Sequence, residues 1–178
     1  MGNTVIISLI GFVFWVAAAR YYSASDIGYA SAIISVIGFL SVFSLMGLDV
    51  SLIRYISEEN KKVELINSCF NVTILIAILS SVSFILGLNI WSPALNPFFE
   101  NKFISLSFIL FTIFATLSTL QISVFLAFRQ AKYSFYISTL NILRVILLPI
   151  LLILGSLGIY LSFGILYITT FILGNKFI

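Results

Sequence analysis

The chain has 178 residues, of which 61% are hydrophobic and only 8% are charged, and its formal net charge is +3. A water-soluble domain cannot bury so much apolar surface, so this composition indicates an integral membrane protein. One cysteine and no histidine exclude an intramolecular disulfide, a histidine metal site, and Ser-His or Cys-His catalysis.

Six long apolar runs divide the chain. A spanning helix needs about 20 mainly apolar residues to cross about 30 Å of hydrocarbon, and continuous rather than alternating runs favour helices over barrel strands. The sequence therefore predicts an all-α polytopic bundle, a single domain over residues 1–178, with no enzyme active site, cofactor or metal. The predicted spans are 3–22, 28–50, 64–90, 104–127, 137–154 and 158–176.

The basic residues between the spans predict an orientation. If the spans alternate, six basic residues fall in segments on one side of the membrane and two on the other. The six are Arg54, Lys61, Lys62, Arg129, Lys132 and Lys176, and the two are Arg20 and Lys102. Because basic residues are enriched in cytoplasmic loops, we expect the first side, with both termini of the chain, to be cytoplasmic. These charges are interpreted as orientation signals in a cell membrane and not as a nucleic-acid site.

The turn between the first two spans carries two candidate residues. Arg20 lies near the end of span one, just inside Tyr21 and Tyr22, which are predicted to form an interfacial aromatic belt. Arg20 either extends to the headgroups, where the helix dipole favours it, or leans back to meet an anionic substrate. Ser23 and Asp26 have the spacing of a capping box. Asp26 is therefore predicted to cap span two or to pair with Arg20 rather than to carry a proton, and we assign it a structural or gating role.

The inner end of span two carries three more candidates. Gly47 and Asp49 lie towards its end, and we assign them a structural or gating role. Arg54 lies just beyond them at a helix C-terminus, where the helix dipole alone explains a positive charge. Contact between Arg54 and an anionic headgroup is the alternative.

Three polar residues lie within the remaining spans. Asn71 in span three is expected to hydrogen-bond to a neighbouring helix. Span four is rich in hydroxyls, which can bond to their own helix carbonyls, but Gln121 is expected to face protein or a cavity. Arg144 lies well inside span five, at an insertion cost of about 2.5–3.5 kcal/mol. It either extends to the membrane surface or faces the substrate pathway, which we favour, and Pro149 is predicted to kink the same span.

The segment from Trp15 to Arg54 carries two ordered patterns, W-x4-R-x5-D-x-G-x2-S-A and L-x-G-L-x3-L-I-R. Together they resemble the start of the polysaccharide flippases, the Wzx-type transporters of the multidrug/oligosaccharidyl-lipid/polysaccharide exporter superfamily. The resemblance implies flipping of a polyprenyl-linked oligosaccharide across the cytoplasmic membrane by alternating access. It also implies that cavity arginines, here Arg20, Arg54 and Arg144, meet the anionic headgroup. Asn71 and Gln121 are further candidates for the substrate pathway.

These flippases typically have twelve or more helices in two bundles around a central cavity. The resemblance therefore implies that the chain is one bundle, the N-terminal half of a larger transporter, which a C-terminal bundle or a second copy would complete. The expected partners are membrane lipid and a lipid-linked oligosaccharide. Two alternatives stay open, namely a drug or ion exporter of the same superfamily, which would need an acidic cation site, and a non-transporting membrane scaffold.

The distribution of basic residues generates a prediction for orientation. In a Cys69→Ser background, Asn60→Cys should be protected from an impermeant thiol reagent applied to intact cells, because its loop carries the cytoplasmic charges. Asn96→Cys, in an outward segment, should be labelled and serves as the positive control. The reverse labelling pattern would refute the orientation.

Overall fold

The computed structural model describes residues 2–56 and 61–176, without the side chains of residues 2–6, 131 and 134. These residues form helices joined by short turns and contain no β-strand, which confirms the predicted all-α class. The α-helices are α1 Gly2–Tyr21, α2 Ala24–Leu45, α3 Leu48–Tyr55, α4 Lys62–Leu86, α5 Leu88–Trp91, α6 Asn96–Phe99, α7 Lys102–Ala127, α8 Ala131–Thr139, α9 Leu143–Ile150 and α10 Ser156–Gly174. The 3-10 turns are Pro93–Leu95, Leu140–Ile142 and Leu152–Leu154.

Four of these helices, α2, α4, α7 and α10, are long and apolar enough to cross a membrane. They correspond to predicted spans two, three, four and six. Two shorter apolar stretches, Ile7–Tyr21 and Phe135–Ile150, fall in predicted spans one and five. Helices suit these segments because hydrocarbon offers no water to satisfy backbone N–H and C=O groups. The described residues thus have the helices of a multi-pass membrane protein.

The chain divides into two compact units. Unit 1 comprises Met1–Ser35 and Ala131–Ile178, and unit 2 comprises Val36–Gln130. Each has its own buried apolar core, and each is described separately below. The single six-helix bundle stays a prediction.

Unit 1 is organised around one face of α1. Phe14, Ala18 and Tyr22 recur every fourth residue, so they lie on the same side of the helix, and all three are buried. The Phe14 ring meets the Phe163 ring of α10 edge to face, with centroids 5.0 Å apart. Helix α9 packs against both α1 and α10. The complete core cluster is Phe14, Ala18, Tyr22, Ala30, Leu148, Ile159 and Phe163.

Predicted span five is a broken helix rather than the single kinked helix over 137–154 that the sequence indicated. It begins earlier, with α8 at residue 131, and 3-10 turns interrupt it at 140–142 and follow it at 152–154. Pro149 has no N–H, so the carbonyl of Val145 loses its helical donor. Near the first interruption, Asn141 Nδ2 donates to the carbonyl of Ser138 at 2.9 Å. The 3-10 turns were not predicted, and the kink at Pro149 stays a prediction.

The turn between the last two spans is as tight as the sequence predicted. Gly155 has φ 54° and ψ −133°, a backbone conformation that L side chains rarely adopt and that glycine reaches without a steric penalty. Helix α10 begins at the next residue, Ser156. Gly158 then lies so close to the Leu151 carbonyl that a Cβ would overlap its oxygen.

Unit 2 packs α7 along α3 and α4. Its core cluster is Leu45, Leu52, Ile56, Ile66, Cys69, Leu120 and Val124. A further group of rings joins α6 to α4 and α7, with Phe99 and Phe108 edge to face at 5.1 Å and Phe84 5.7 Å from Phe108. The hydroxyls of Thr112 and Thr116 donate to the carbonyls four residues back, each at 2.8 Å, as the sequence predicted for span four.

The predicted boundaries of span two, 28–50, were wrong at both ends. Helix α2 starts at Ala24, because Ser23 caps its first turn, and it ends at Leu45. Met46 and Gly47 then have φ of 44° and 81°, so the chain turns before α3 begins. Residues 57–60, which include one of the two cysteine positions chosen above, lie outside the described residues.

The contact at Gly158 generates a prediction for stability. Gly158→Ala should destabilise the folded chain by about 1–3 kcal/mol, because a backbone carbonyl must move to admit the methyl group. Gly38→Ala is the matched control, since a Cβ there meets no atom within 4 Å and alanine favours a helix by up to about 1 kcal/mol. Thermal unfolding of the purified chain measures both changes. Equal unfolding temperatures for the two variants would contradict the close approach.

Candidate functional site around Arg144

Arg144 is the second residue of α9 and lies beside α1 and α10. Its guanidinium carbon is 4.8 Å from the Phe163 ring centroid and 5.3 Å from that of Phe14. On α1, a Cβ added to Gly11 would lie 3.6 Å from Nη2 of Arg144, so the absence of a side chain there leaves room for the guanidinium. Three helices of unit 1 therefore contribute to one cationic site with aromatic walls.

The charge of Arg144 has no anionic partner in the part of the chain that the structure describes. Its Nε is buried without a hydrogen-bond acceptor among those residues, and no ion pair joins the side chain to a described carboxylate. A buried donor without an acceptor costs about 1–3 kcal/mol. Cation–π contacts of about 0.5–2 kcal/mol offset part of that cost. The planar guanidinium suits bidentate binding of phosphate or carboxylate, so the site has the chemistry to bind an anion.

The helix that carries Arg144 is fixed one turn further on. The Tyr22 hydroxyl donates to the Leu148 carbonyl at 2.7 Å. This carbonyl belongs to the last turn of α9, where carbonyls have no N–H donor within the helix. Tyr22 is 8% exposed, whereas Tyr21 is 54% exposed. The aromatic-belt prediction was therefore wrong for Tyr22, which packs in the core of unit 1.

Asp26 joins two helix N-termini. Its backbone N–H donates to Ser23 Oγ at 3.1 Å, as the capping-box spacing predicted. The Ser23 hydroxyl donates to Asp26 Oδ2, in place of the backbone N–H of Ser23 that a capping box would use. The other oxygen of Asp26, Oδ1, accepts the backbone N–H of Ser156 at 3.0 Å. The partly positive N-terminal ends of both helices favour the carboxylate charge. Among the described residues, no ion pair joins Asp26 to Arg20, so the predicted alternative of such a pair was wrong.

The other two candidate arginines are exposed. Arg20 lies in the last turn of α1, and the described contacts do not bring it to Arg144. Arg54 lies in the last turn of α3, as predicted, with its guanidinium carbon 5.4 Å from the ring centroid of its neighbour Tyr55. The helix dipole explains both positions without a ligand. Their contact with a substrate stays a prediction.

Gly47 and Asp49 occupy the turn into α3. Gly47 has a left-handed backbone conformation and immediately precedes α3. Asp49 lies half-buried in the first turn of α3, where the helix dipole favours an acidic side chain. Both residues thus shape the start of α3. A gating role stays a prediction.

The two uncharged candidates differ in burial. Gln121 in α7 is fully buried, as expected for a residue that faces protein. Asn71 in α4 is exposed, and within the described ranges no hydrogen bond joins its side chain to another helix. The expected interhelical bond of Asn71 is therefore not found there.

Sequence reasoning missed the aromatic walls of the Arg144 site. Phe14 was not distinguishable, because α1 is apolar on all sides and the spacing of Phe14, Ala18 and Tyr22 singles out no face. Phe163 lies in a run that is apolar on all sides, so no periodicity distinguishes its face. The partners of Arg144 on two distant helices therefore required the fold.

One of three comparisons with known proteins finds a match, which agrees with the early resemblance. Searches against curated proteins and against solved structures find no match. The family model described as polysaccharide biosynthesis protein matches residues 1–174, which is nearly the whole chain and includes the α1, α9 and α10 residues around Arg144. The chain belongs to this family of polysaccharide biosynthesis proteins, as the resemblance to Wzx-type flippases indicated.

Proposed function

We propose that the chain is a component of a flippase that moves a polyprenyl-linked oligosaccharide from the cytoplasmic to the outer leaflet by alternating access. Membership of the polysaccharide biosynthesis family and the apolar helices support a membrane transporter. The chain would lie in the cell membrane with both termini in the cytoplasm. It would act on the substrate by moving it, without making or breaking a covalent bond.

The main support for the proposal is the environment of the Arg144 guanidinium. An arginine within a membrane-spanning segment is costly, and such residues mark substrate and ion pathways. Arg144 is half-buried. Here the guanidinium has two aromatic contacts and no described carboxylate partner. A lipid-linked oligosaccharide presents phosphate oxygens at its headgroup, and the arginine fork matches that geometry.

The positions of the carboxylates favour this substrate over a cation. An exporter of cationic drugs or of ions would need an acidic group within a span. Each described carboxylate lies at or next to a helix end instead. Asp26 is occupied by Ser23 and Ser156, and Glu64 pairs with Lys61 at 3.1 Å on the surface. The described residues therefore offer an anion-binding group and no acidic group in mid-helix.

A second six-helix bundle, from a C-terminal segment or a second copy, would complete the cavity, as the family resemblance implies. The chain alone should then fail to restore export in flippase-deficient cells, because half a cavity cannot alternate access. Co-expression with a matching C-terminal bundle should restore it. Full rescue by the chain without that bundle would show that copies of the chain form the whole transporter.

Arg144 provides the direct test of the proposed substrate contact. In flippase-deficient cells that also express the matching bundle, Arg144→Leu should reduce export at least tenfold, about 1.4 kcal/mol of lost binding. Arg144→Lys should keep part of the activity, because the charge remains while the bidentate fork is lost. Export is measured per folded transporter, since Leu removes an insertion cost of about 2.5–3.5 kcal/mol and should insert at least as well.

Arg129→Leu is the matched control for Arg144→Leu. It removes the same side chain from an exposed loop position and should leave export unchanged. Wild-type export from Arg144→Leu would mean that the arginine only extends to the membrane surface. Reduced abundance with normal export per folded molecule would instead indicate that Arg144 pairs with a carboxylate of the second bundle.

A further inference from the structure

Two long-range hydrogen bonds join the same two turns of unit 1. The Tyr22 hydroxyl binds the Leu148 carbonyl at 2.7 Å, and Asp26 Oδ1 accepts the N–H of Ser156 at 3.0 Å. The first partners are Tyr22, in the turn between α1 and α2, and Asp26, in the first turn of α2. The second partners lie at the end of α9 and the start of α10. We call these two bonds the clasp.

The surrounding backbone fits closely around the clasp. A Cβ added to Gly155 would lie 3.0 Å from Asp26 Oδ1, and one added to Gly158 would lie 3.0 Å from the Tyr22 hydroxyl. Both glycines thus allow a close approach that a side chain would prevent. The clasp is therefore part of a tight contact rather than a pair of chance surface bonds.

The clasp connects to the Arg144 site through the packed faces of the helices. Phe14 and Tyr22 lie on one face of α1, eight residues apart, and Arg144 and Leu148 are one turn apart on α9. Phe14 contacts Arg144 at one end of this arrangement, and Tyr22 binds Leu148 at the other. Holding Tyr22 on Leu148 thus holds Phe14 against the guanidinium.

We propose that Tyr22 and Asp26 are positioning residues, whose clasp keeps α1, the start of α2, α9 and α10 together as one body while the transporter changes conformation. Arg144 and its aromatic walls then travel as an assembled site and are not rebuilt in each cycle. The importance of this site for transport rests on the proposed function. The clasp itself does not, so it can be tested without transport.

The test measures water access to the core below the clasp. Ala30 is fully buried in that core, one turn after Asp26 on α2. Ala30→Cys in a Cys69→Ser background should react slowly with a water-soluble methanethiosulfonate reagent, with the chain in lipid nanodiscs. Adding Asp26→Ala should speed labelling by about tenfold or more, the change in a local opening equilibrium when a charge-assisted hydrogen bond is lost. Tyr22→Phe, which removes a single oxygen, should speed it by about threefold or more.

Asn101→Ala is the matched control. Asn101 caps α7 in unit 2 by accepting the N–H of Phe103 at 3.0 Å, so its loss removes a helix cap that joins no second helix. Labelling of Ala30→Cys should then stay within about twofold of the parent, because unit 1 keeps its bonds. Equal acceleration by Asn101→Ala and Asp26→Ala would overturn the proposal, as would unchanged labelling in both clasp variants.

A conservative variant separates positioning from simple structural loss. Asp26→Asn keeps an acceptor for Ser156 and should give slower labelling and higher export per folded molecule than Asp26→Ala. If Asp26→Ala fails to fold, Asp26→Asn and Tyr22→Phe decide the matter, since both nearly preserve side-chain volume. Normal export from Arg144→Leu would refute the substrate role of Arg144 and leave the labelling result standing, so the two failures are distinguishable.

Discussion

Backbone hydrogen bonding in a medium without water is the constraint on which this structure depends. An unbroken helix satisfies its own interior, so the long apolar runs need no sequence-specific help. Each break in that pattern needs a donor or acceptor from elsewhere. In unit 1 the breaks coincide with polar side chains. Asn141 donates to the carbonyl of Ser138, Tyr22 donates to the carbonyl of Leu148, and Asp26 accepts the N–H of Ser156. These three polar side chains therefore lie where the backbone would otherwise be unsatisfied.

Arg144 departs from that rule, because it satisfies no backbone group and has no described acceptor for Nε. Aromatic faces accept a cation without supplying a hydrogen-bond acceptor, so Phe14 and Phe163 stabilise the charge while Nε has no acceptor among the described residues. A carboxylate neighbour would stabilise the charge more strongly and would also compete with a phosphate. An aromatic environment is thus compatible with the reversible anion binding that we propose for Arg144.

The sequence allowed the fold class and the existence of the helices to be predicted, because about 20 apolar residues in a row have few structural alternatives in a membrane. Local spacing also sufficed for the Ser23 and Asp26 cap and for the hydroxyl bonds of α7. The second bond of Asp26 was not predictable, because its partner is a backbone N–H 130 residues away. The 3-10 turn at 140–142 was not predicted, because a single asparagine in an apolar run does not indicate a break. The bond from Asn141 to the Ser138 carbonyl is visible only in the structure. Tyr22 was misplaced because a tyrosine at a helix end fits both a headgroup belt and a buried hydrogen bond.

Helix α7 differs mechanically from the clasped helices. Hydroxyls that bond back to their own helix carbonyls share acceptors with the backbone N–H groups, and such sharing slightly destabilises and often bends a helix. Thr112, Thr116 and Thr119 carry these bonds at steps of four and three along one side of α7. The helix at the centre of unit 2 is thereby softened along one edge. A force along the axis of α7 would therefore bend this helix in one preferred direction, which is set by the side that carries the three threonines.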